Sequence, residues 1–278
     1  MKNIFSKIKT LIIYKFLPLF IVKLLFKMFG NLKHKNLLGL NYIKPYYAYG
    51  LIQAVEYAKK YNFKAVTVIE FGVASGRGIY YLSKFKEELE KFENIKINIF
   101  GFDTGKGMPK SSDYRDHPDK YNEGDYSMLL DKEKIESYGC KLIIGDIKDT
   151  LKGFHKELSR NSPIGFLAFD LDTYNSCKSA LKLFNYNENF FLPYVFCYFD
   201  DCDGRHHFTK FTGELLAIEE FNKKNKFIKI DNDRGIWNHH KLIPKQVWYD
   251  RCFIAHFFKH NLRYKNNCLK KKKILPKY

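Results

Sequence analysis

The stretch Ala65-Val-Thr-Val-Ile-Glu70-Phe71-Gly72-Val73-Ala74-Ser75-Gly76-Arg77-Gly78 decides how this chain is read. Its first seven residues are mostly apolar and rich in β-branched side chains, which predicts a buried strand over 65–71. A run of small residues follows, with glycine at 72, 76 and 78. The next segment, 78–92, spaces its apolar residues as a helix and carries its charges on one face. Strand, glycine turn and helix in that order open a βαβ unit.

The pattern continues outward. Strands are predicted at 95–102, 140–144, 164–169 and 195–199, and two later ones at 226–230 and 252–257. Helices are predicted at 50–61, 78–92, 147–158, 176–184 and 213–222. Strands that alternate with helices imply an α/β fold: a Rossmann-like, doubly wound, mostly parallel seven-stranded sheet, preceded by N-terminal accessory helices. Right-handed crossovers then bring the carboxyl ends of the parallel strands to one edge. Residues 103–130 stand apart as a long polar stretch without period, and a loop of that length in a compact domain is usually functional.

The chain has 278 residues, 45% of them hydrophobic, enough for a sizeable core. Its six cysteines form no C-x-x-C pair, which excludes a zinc ribbon and suits a reducing compartment better than a disulfide framework. The net charge of +18 is carried by the ends: residues 1–50 hold nine Lys and no acid, and residues 251–278 hold nine Lys or Arg and no acid. The middle is therefore neutral. That argues against a nucleic-acid enzyme with a basic face and for an anionic surface, such as a membrane leaflet or a polyanionic glycan, met by the termini.

Within residues 1–31 the longest charge-free run is 16–22, too short to span a bilayer, and no small-residue cleavage site follows. Pro18 is expected to divide the segment into two helices. The second has Lys23 and Lys27 on one face. The expected organisation is a basic amphipathic segment at 1–45, serving as lid, dimer contact or peripheral membrane contact. A catalytic domain at 46–258 and a basic tail at 259–278 complete it. The expected location is the cytoplasm, with the inner face of the membrane as the surface the segment would touch.

The glycine turn reads G-x-x-x-G-x-G, not the G-x-G-x-x-G of dinucleotide domains, and its strand ends in Glu70. A carboxylate there repels a pyrophosphate and suits a cationic ligand. The second strand ends at Asp103, placed to accept from ribose hydroxyls. The third leads to Gly145-Asp146, where an acid can meet an adenine amino group. S-adenosylmethionine is cationic and carries both a ribose and an adenine, so it matches the set.

The ordered segments Glu70-Phe-Gly-Val, Gly101-Phe-Asp-Thr-Gly-Lys-Gly-Met-Pro109, Gly145-Asp146, Asp170-Leu-Asp-Thr-Tyr-Asn-Ser176 and Phe199-Asp-Asp201 resemble the class I methyltransferases. Within that class they are most similar to the macrocin (TylF-type) O-methyltransferase group, over roughly residues 45–230. The resemblance implies that Glu70, Gly72, Val73, Ala74, Ser75, Gly76, Asp103 and Thr104 hold S-adenosylmethionine, with Asp146 and Ile147 beside the adenine. This chain has Gly105-Lys106-Gly107 where many relatives have Phe-Glu-Gly, and Ser176-Cys177 where they have Ser-Thr. Cys202 also stands where an aromatic residue often follows the acidic pair. All three departures fall toward the acceptor side.

Asp170 and Asp172, two apart at the end of the fourth strand, are expected on one side of it, with Asp200 and Asp201 on the neighbouring fifth strand. Four converging carboxylates suit Mg²⁺ or Mn²⁺, completed by water and substrate oxygens. The resemblance implies the same. Asp172, Asp200 and Asp201 are the expected metal ligands. Asp170 lies nearer the sulfonium, to contact the donor or act as base, and Asp170 and Asp172 share the catalytic role. The expected reaction is Mg-assisted O-methylation of a hydroxyl on a sugar or glycosylated metabolite, in surface-polysaccharide biosynthesis. Tyr114, Arg115, Asp116, His117, Tyr121 and Tyr126 in the long loop suit a sugar acceptor. His206, His207, His239 and His240 (near Trp237) are candidate bases or ordinary loop residues.

Two readings compete. An RNA methyltransferase predicts strongly salt-dependent nucleic-acid binding. A membrane-surface protein with a vestigial fold predicts liposome binding and no donor affinity. A nicotinamide oxidoreductase is disfavoured by the glycine spacing. A homo-oligomer is compatible with the N-terminal segment.

Overall fold

A computed structural model describes residues 44–128, 131–202, 209–236 and 246–265, with the isolated helical positions 21, 24 and 28. The expectations about Pro18, Lys23 and Lys27, about His206, His207, Trp237, His239 and His240, and about the tail beyond 265 lie outside the described residues.

The described elements are α1 (Pro45–Lys60), β1 (Ala65–Phe71), α2 (Arg77–Glu93), β2 (Lys96–Asp103), α3 (Lys132–Glu136), β3 (Lys141–Ile144), α4 (Ile147–Phe154), β4 (Ile164–Phe169), α5 (Tyr174–Ala180), β5 (Phe191–Phe199), α6 (Gly213–Lys224), β6 (Ile228–Asn232), β7 (Cys252–Phe257) and α7 (Asn261–Lys265). The seven strands form one sheet in the order β3-β2-β1-β4-β5-β7-β6. The first five are parallel, and β7 runs antiparallel to both β5 and β6. This is the doubly wound, mostly parallel class that the strand and helix pattern predicts.

Period-two alternation explains the layers. On β4, Phe166 and Ala168 enter the core under α1 and α2, while Leu167 and Phe169 enter the opposite core with α4, α5 and α6. On β5 the same split places Phe196 and Tyr198 on one face and Cys197 and Phe199 on the other. Both layers are rich in aromatic side chains, and in the second Phe169 stacks on Phe199 at 4.4 Å.

Helix α1 begins at Pro45, five residues before the predicted start at 50. Proline at the first helical position needs no amide partner and presets the helical φ, so Pro45 nucleates a turn that the aromatic run Tyr46-Tyr47 obscures as a period. The extension brings Lys44 and both tyrosines to the carboxyl edge of the sheet. Five cysteines, Cys140, Cys177, Cys197, Cys202 and Cys252, are free thiols. Among the described residues no helix is long and apolar enough to cross a membrane.

Candidate active site

The turn after β1 is shaped by steric necessity. Gly72 has φ +84°, and a Cβ there would lie 1.9 Å from the Asp170 carbonyl oxygen. Its own N–H donates to the Phe102 carbonyl at 2.9 Å. The turn therefore threads between the ends of β2 and β4, and only glycine fits. Gly76, also left-handed at φ +75°, caps α2.

Asp103 fastens this turn. Its Oδ2 accepts the N–H groups of Val73 and Ala74, both at 2.8 Å, and its Oδ1 accepts that of Gly105 at 2.7 Å. Amides that would face a phosphate in a dinucleotide fold are here satisfied by a carboxylate. Oδ1 retains acceptor capacity for a hydroxyl. Thr104 closes the following bend, accepting from the Lys106 N–H at 3.1 Å and donating to the Gly107 carbonyl at 3.0 Å. Val73 is buried and Ser75 exposed. Asp146 is exposed and caps α4, accepting from the Lys148 N–H at 2.8 Å, with Ile147 partly buried beside it.

Glu70 lies beneath the turn, 1% exposed. Its Oε1 accepts from the Tyr47 hydroxyl at 2.6 Å, while Oε2 is buried without a partner. A Cβ at residue 78 would sit 1.6 Å from Oε1, so Gly78 is the floor on which this carboxylate rests. Burial pushes the Glu70 carboxyl up to about 7, against the opposing charge of Lys44.

The acids beyond β4 and β5 do meet, but by another route than the one expected. Strand β4 ends at Phe169, and Asp172 is in the left-handed region at φ +59°. The turn, and not strand alternation, carries Asp172 to Asp201. These two side chains are hydrogen-bonded to each other. Burial, and then the Asp201 charge, push Asp172 up to about 8, and burial raises Asp201 as well, so the pair holds a shared proton. Asp170 is raised to about 7 by burial and then by Asp200.

Asp200, expected beside this pair, is engaged on its other side. Its Oδ1 accepts from Arg251 Nη1 at 2.6 Å and from the Tyr198 hydroxyl. The guanidinium already supplies the positive charge that a cation would bring. Among the described residues no three His, Cys, Asp or Glu side chains are gathered as a metal-ligand set. Of the expected trio, Asp172 and Asp201 are in contact with each other, while Asp200 is engaged by Arg251.

The long loop delivers Tyr121 to this pair, with the Lys120 ammonium 2.7 Å from the Tyr121 hydroxyl and its charge felt by Asp201. Its neck is closed by Met108 N–H to Asp125 O at 2.8 Å and by Gly124 N–H to Met108 O at 2.9 Å. Asp116, 3% exposed, accepts from Ser111 Oγ at 2.6 Å and from Asn175 N and Nδ2, each at 2.8 Å, which latches the loop to the start of α5. Arg115 pairs with Asp113 at 2.7 Å and lies 4.4 Å from the Tyr174 ring. From this frame the Tyr121 hydroxyl donates to Asp201 Oδ2 at 3.0 Å and also bonds Asp172. Tyr114 and Tyr126 are exposed, and His117 packs beside Gly213.

Several site residues escape a reading of the sequence. Glu214, fully buried in the first turn of α6, accepts the Asp201 N–H at 3.0 Å and anchors the turn after β5. Burial and the Asp201 charge push its carboxyl well above the usual range. An acid in the first turn of a helix reads as an ordinary dipole partner. Arg251 and Lys44 lie in basic ends where no single residue stands out. Only Pro45 signals that Lys44 begins a helix.

No protein-family profile matches the chain, and no curated protein matches it. Solved structures resemble its fold. The calicheamicin methyltransferase CalS11 is 18% identical, with a TM-score of 0.46 over 74% of this chain and 79% of that one. TomG from Streptomyces achromogenes, an O-methyltransferase of tomaymycin synthesis in complex with SAM, is 9% identical, with a TM-score of 0.41 over 80% and 86%. An O-methyltransferase from Bacillus cereus in complex with SAH is 12% identical, with a TM-score of 0.40 over 76% and 80%. These are likenesses of overall fold and assign no residue a role.

Proposed function

We propose that the chain is an S-adenosylmethionine-dependent O-methyltransferase acting on a hydroxyl of a sugar or glycosylated metabolite, with surface-polysaccharide biosynthesis as its setting. One observation carries the reading. The amides of the β1 turn are occupied by Asp103, and the same rim gathers Glu70, Asp170, Asp172 and Asp201. Such a rim disfavours phosphate and favours a ligand that brings positive charge. S-adenosylmethionine supplies a sulfonium methyl group.

The chain's own residues then divide the work. Asp103 Oδ1 is free to accept a ribose hydroxyl. Asp172, with a proton affinity near 8, holds and releases a proton at neutral pH, which is what a general base for a hydroxyl requires, while Asp170 faces the donor. The Tyr121 hydroxyl already bonds both Asp172 and Asp201, so a hydroxyl fits against this pair. The latched loop orients the acceptor and excludes water.

Asp172 and Asp201 also fit Mg²⁺, which takes one or two carboxylates and keeps its waters. Two acids in contact need either a shared proton or a cation. When bound there, the metal would lower the pKa of an acceptor hydroxyl.

Calorimetry with S-adenosylmethionine, S-adenosylhomocysteine and NADH tests the reading. Binding of both adenosyl ligands but not NADH is expected, followed by transfer of a labelled methyl group to sugar acceptors that falls on chelation. Heat from NADH alone would discard the assignment.

A further inference from the structure

The acidic rim contains one lysine placed between two of its acids. Lys44 Nζ lies 3.8 Å from Asp170 Oδ2, with its side chain 14% exposed. It sits over the ring of Tyr47 at 4.4 Å and near that of Tyr46 at 5.9 Å. Its charge is felt by Glu70 as well as by Asp170. A site built only for a cation gains nothing from a fixed ammonium in its wall. A site built for a zwitterion needs both signs a few ångströms apart.

Both signs are present here. Glu70 Oε2 is buried and unpartnered, an acceptor awaiting a donor. Lys44 is also the N-cap residue of the 16-residue helix α1, and it offers that helix no side-chain cap bond. The first turn of α1 therefore presents positive partial charge beside the Lys44 ammonium, a setting that attracts a carboxylate.

We infer that Lys44 is the specificity-determining residue for the amino-acid end of the methyl donor: it takes the α-carboxylate, while Glu70 and Asp170 face the α-ammonium. The inference rests on the rim being the S-adenosylmethionine site. It adds that the site reads a zwitterion, so an adenosyl thioether without the amino acid gains nothing from Lys44.

The test is calorimetry on the full chain with two neutral thioethers, S-adenosylhomocysteine and 5′-methylthioadenosine, which lacks the amino acid. Lys44→Met is expected to weaken S-adenosylhomocysteine about 10- to 100-fold, the worth of one charge-assisted contact, and to leave 5′-methylthioadenosine unchanged. Lys44→Arg is expected to retain most of the affinity. Unchanged 5′-methylthioadenosine binding also reports an intact fold. Equal weakening of both ligands, no change in either, or tighter S-adenosylhomocysteine binding in Lys44→Met would overturn the role of Lys44 and leave the donor site standing. Wild-type protein that binds neither ligand would overturn the donor site itself, and this inference with it.

Discussion

Asp172→Asn is expected to make the metal-free protein more stable at neutral pH. Asp172 and Asp201 are in hydrogen-bond contact, partly or fully buried, and Asp172 is raised from 3.8 to about 8. At pH 7 the folded chain must therefore hold a proton against about 3 pKa units, a cost of about 4 kcal/mol. Coulomb's law gives a similar figure: two like charges about 4 Å apart cost about 4 kcal/mol at an effective dielectric of about 20. Asparagine keeps the shape and donates an N–H to Asp201 in place of the shared proton. Recovering about half of the penalty gives about 2 kcal/mol, or about 4–8 °C in Tm for a domain of this size. The sign with pH follows from linkage. A carboxyl whose pKa is raised by folding leaves stability intact below its unfolded value, near 3.8, and removes it as pH climbs toward 8. The advantage of Asp172→Asn should thus be small at about pH 4 and full at about pH 8. Urea unfolding with chelator at several pH values measures it. A variant less stable than wild type at pH 7, or a gain independent of pH, would refute the like-charge account.

Saturating Mg²⁺ should raise the Tm of the wild type and leave Asp201→Asn nearly unmoved, as read by thermal unfolding with and without chelator; equal shifts in both would place the ion elsewhere. Gly72→Ala forces a Cβ onto the Asp170 carbonyl at a positive φ. It should cost more than about 3 kcal/mol and abolish donor binding, checked by urea unfolding and calorimetry. Asp116→Ala strips three hydrogen bonds from the loop latch. A loss of about 2–3 kcal/mol is expected, with faster hydrogen exchange confined to residues 108–125. Glu214→Gln keeps an oxygen for the Asp201 amide and should stay within about 1 kcal/mol of wild type, whereas Glu214→Leu leaves that amide unpaired and should cost about 1–3 kcal/mol in urea unfolding.

The layering of this protein was determined by the sequence alone. Strands at 65–71, 164–169 and 252–257 are bounded where the apolar runs are bounded, because alternation and β-branching are local properties that a short window contains. The same holds for the glycine turn and for an acid at or just past the end of each of the first five strands. Which acid meets which partner was decided only in three dimensions. Asp200 is neighbour in sequence to Asp201, yet one pairs with Arg251, 51 residues away, and the other with Asp172 and Tyr121. Glu214 and Lys44 enter the site from helices that no motif marks. Charge pairing over such separations depends on how the elements dock, and a carboxylate reads the same in a sequence whether it faces a guanidinium, a second acid or water. The fold was therefore legible from local pattern, while the electrostatics of the rim required the packed chain.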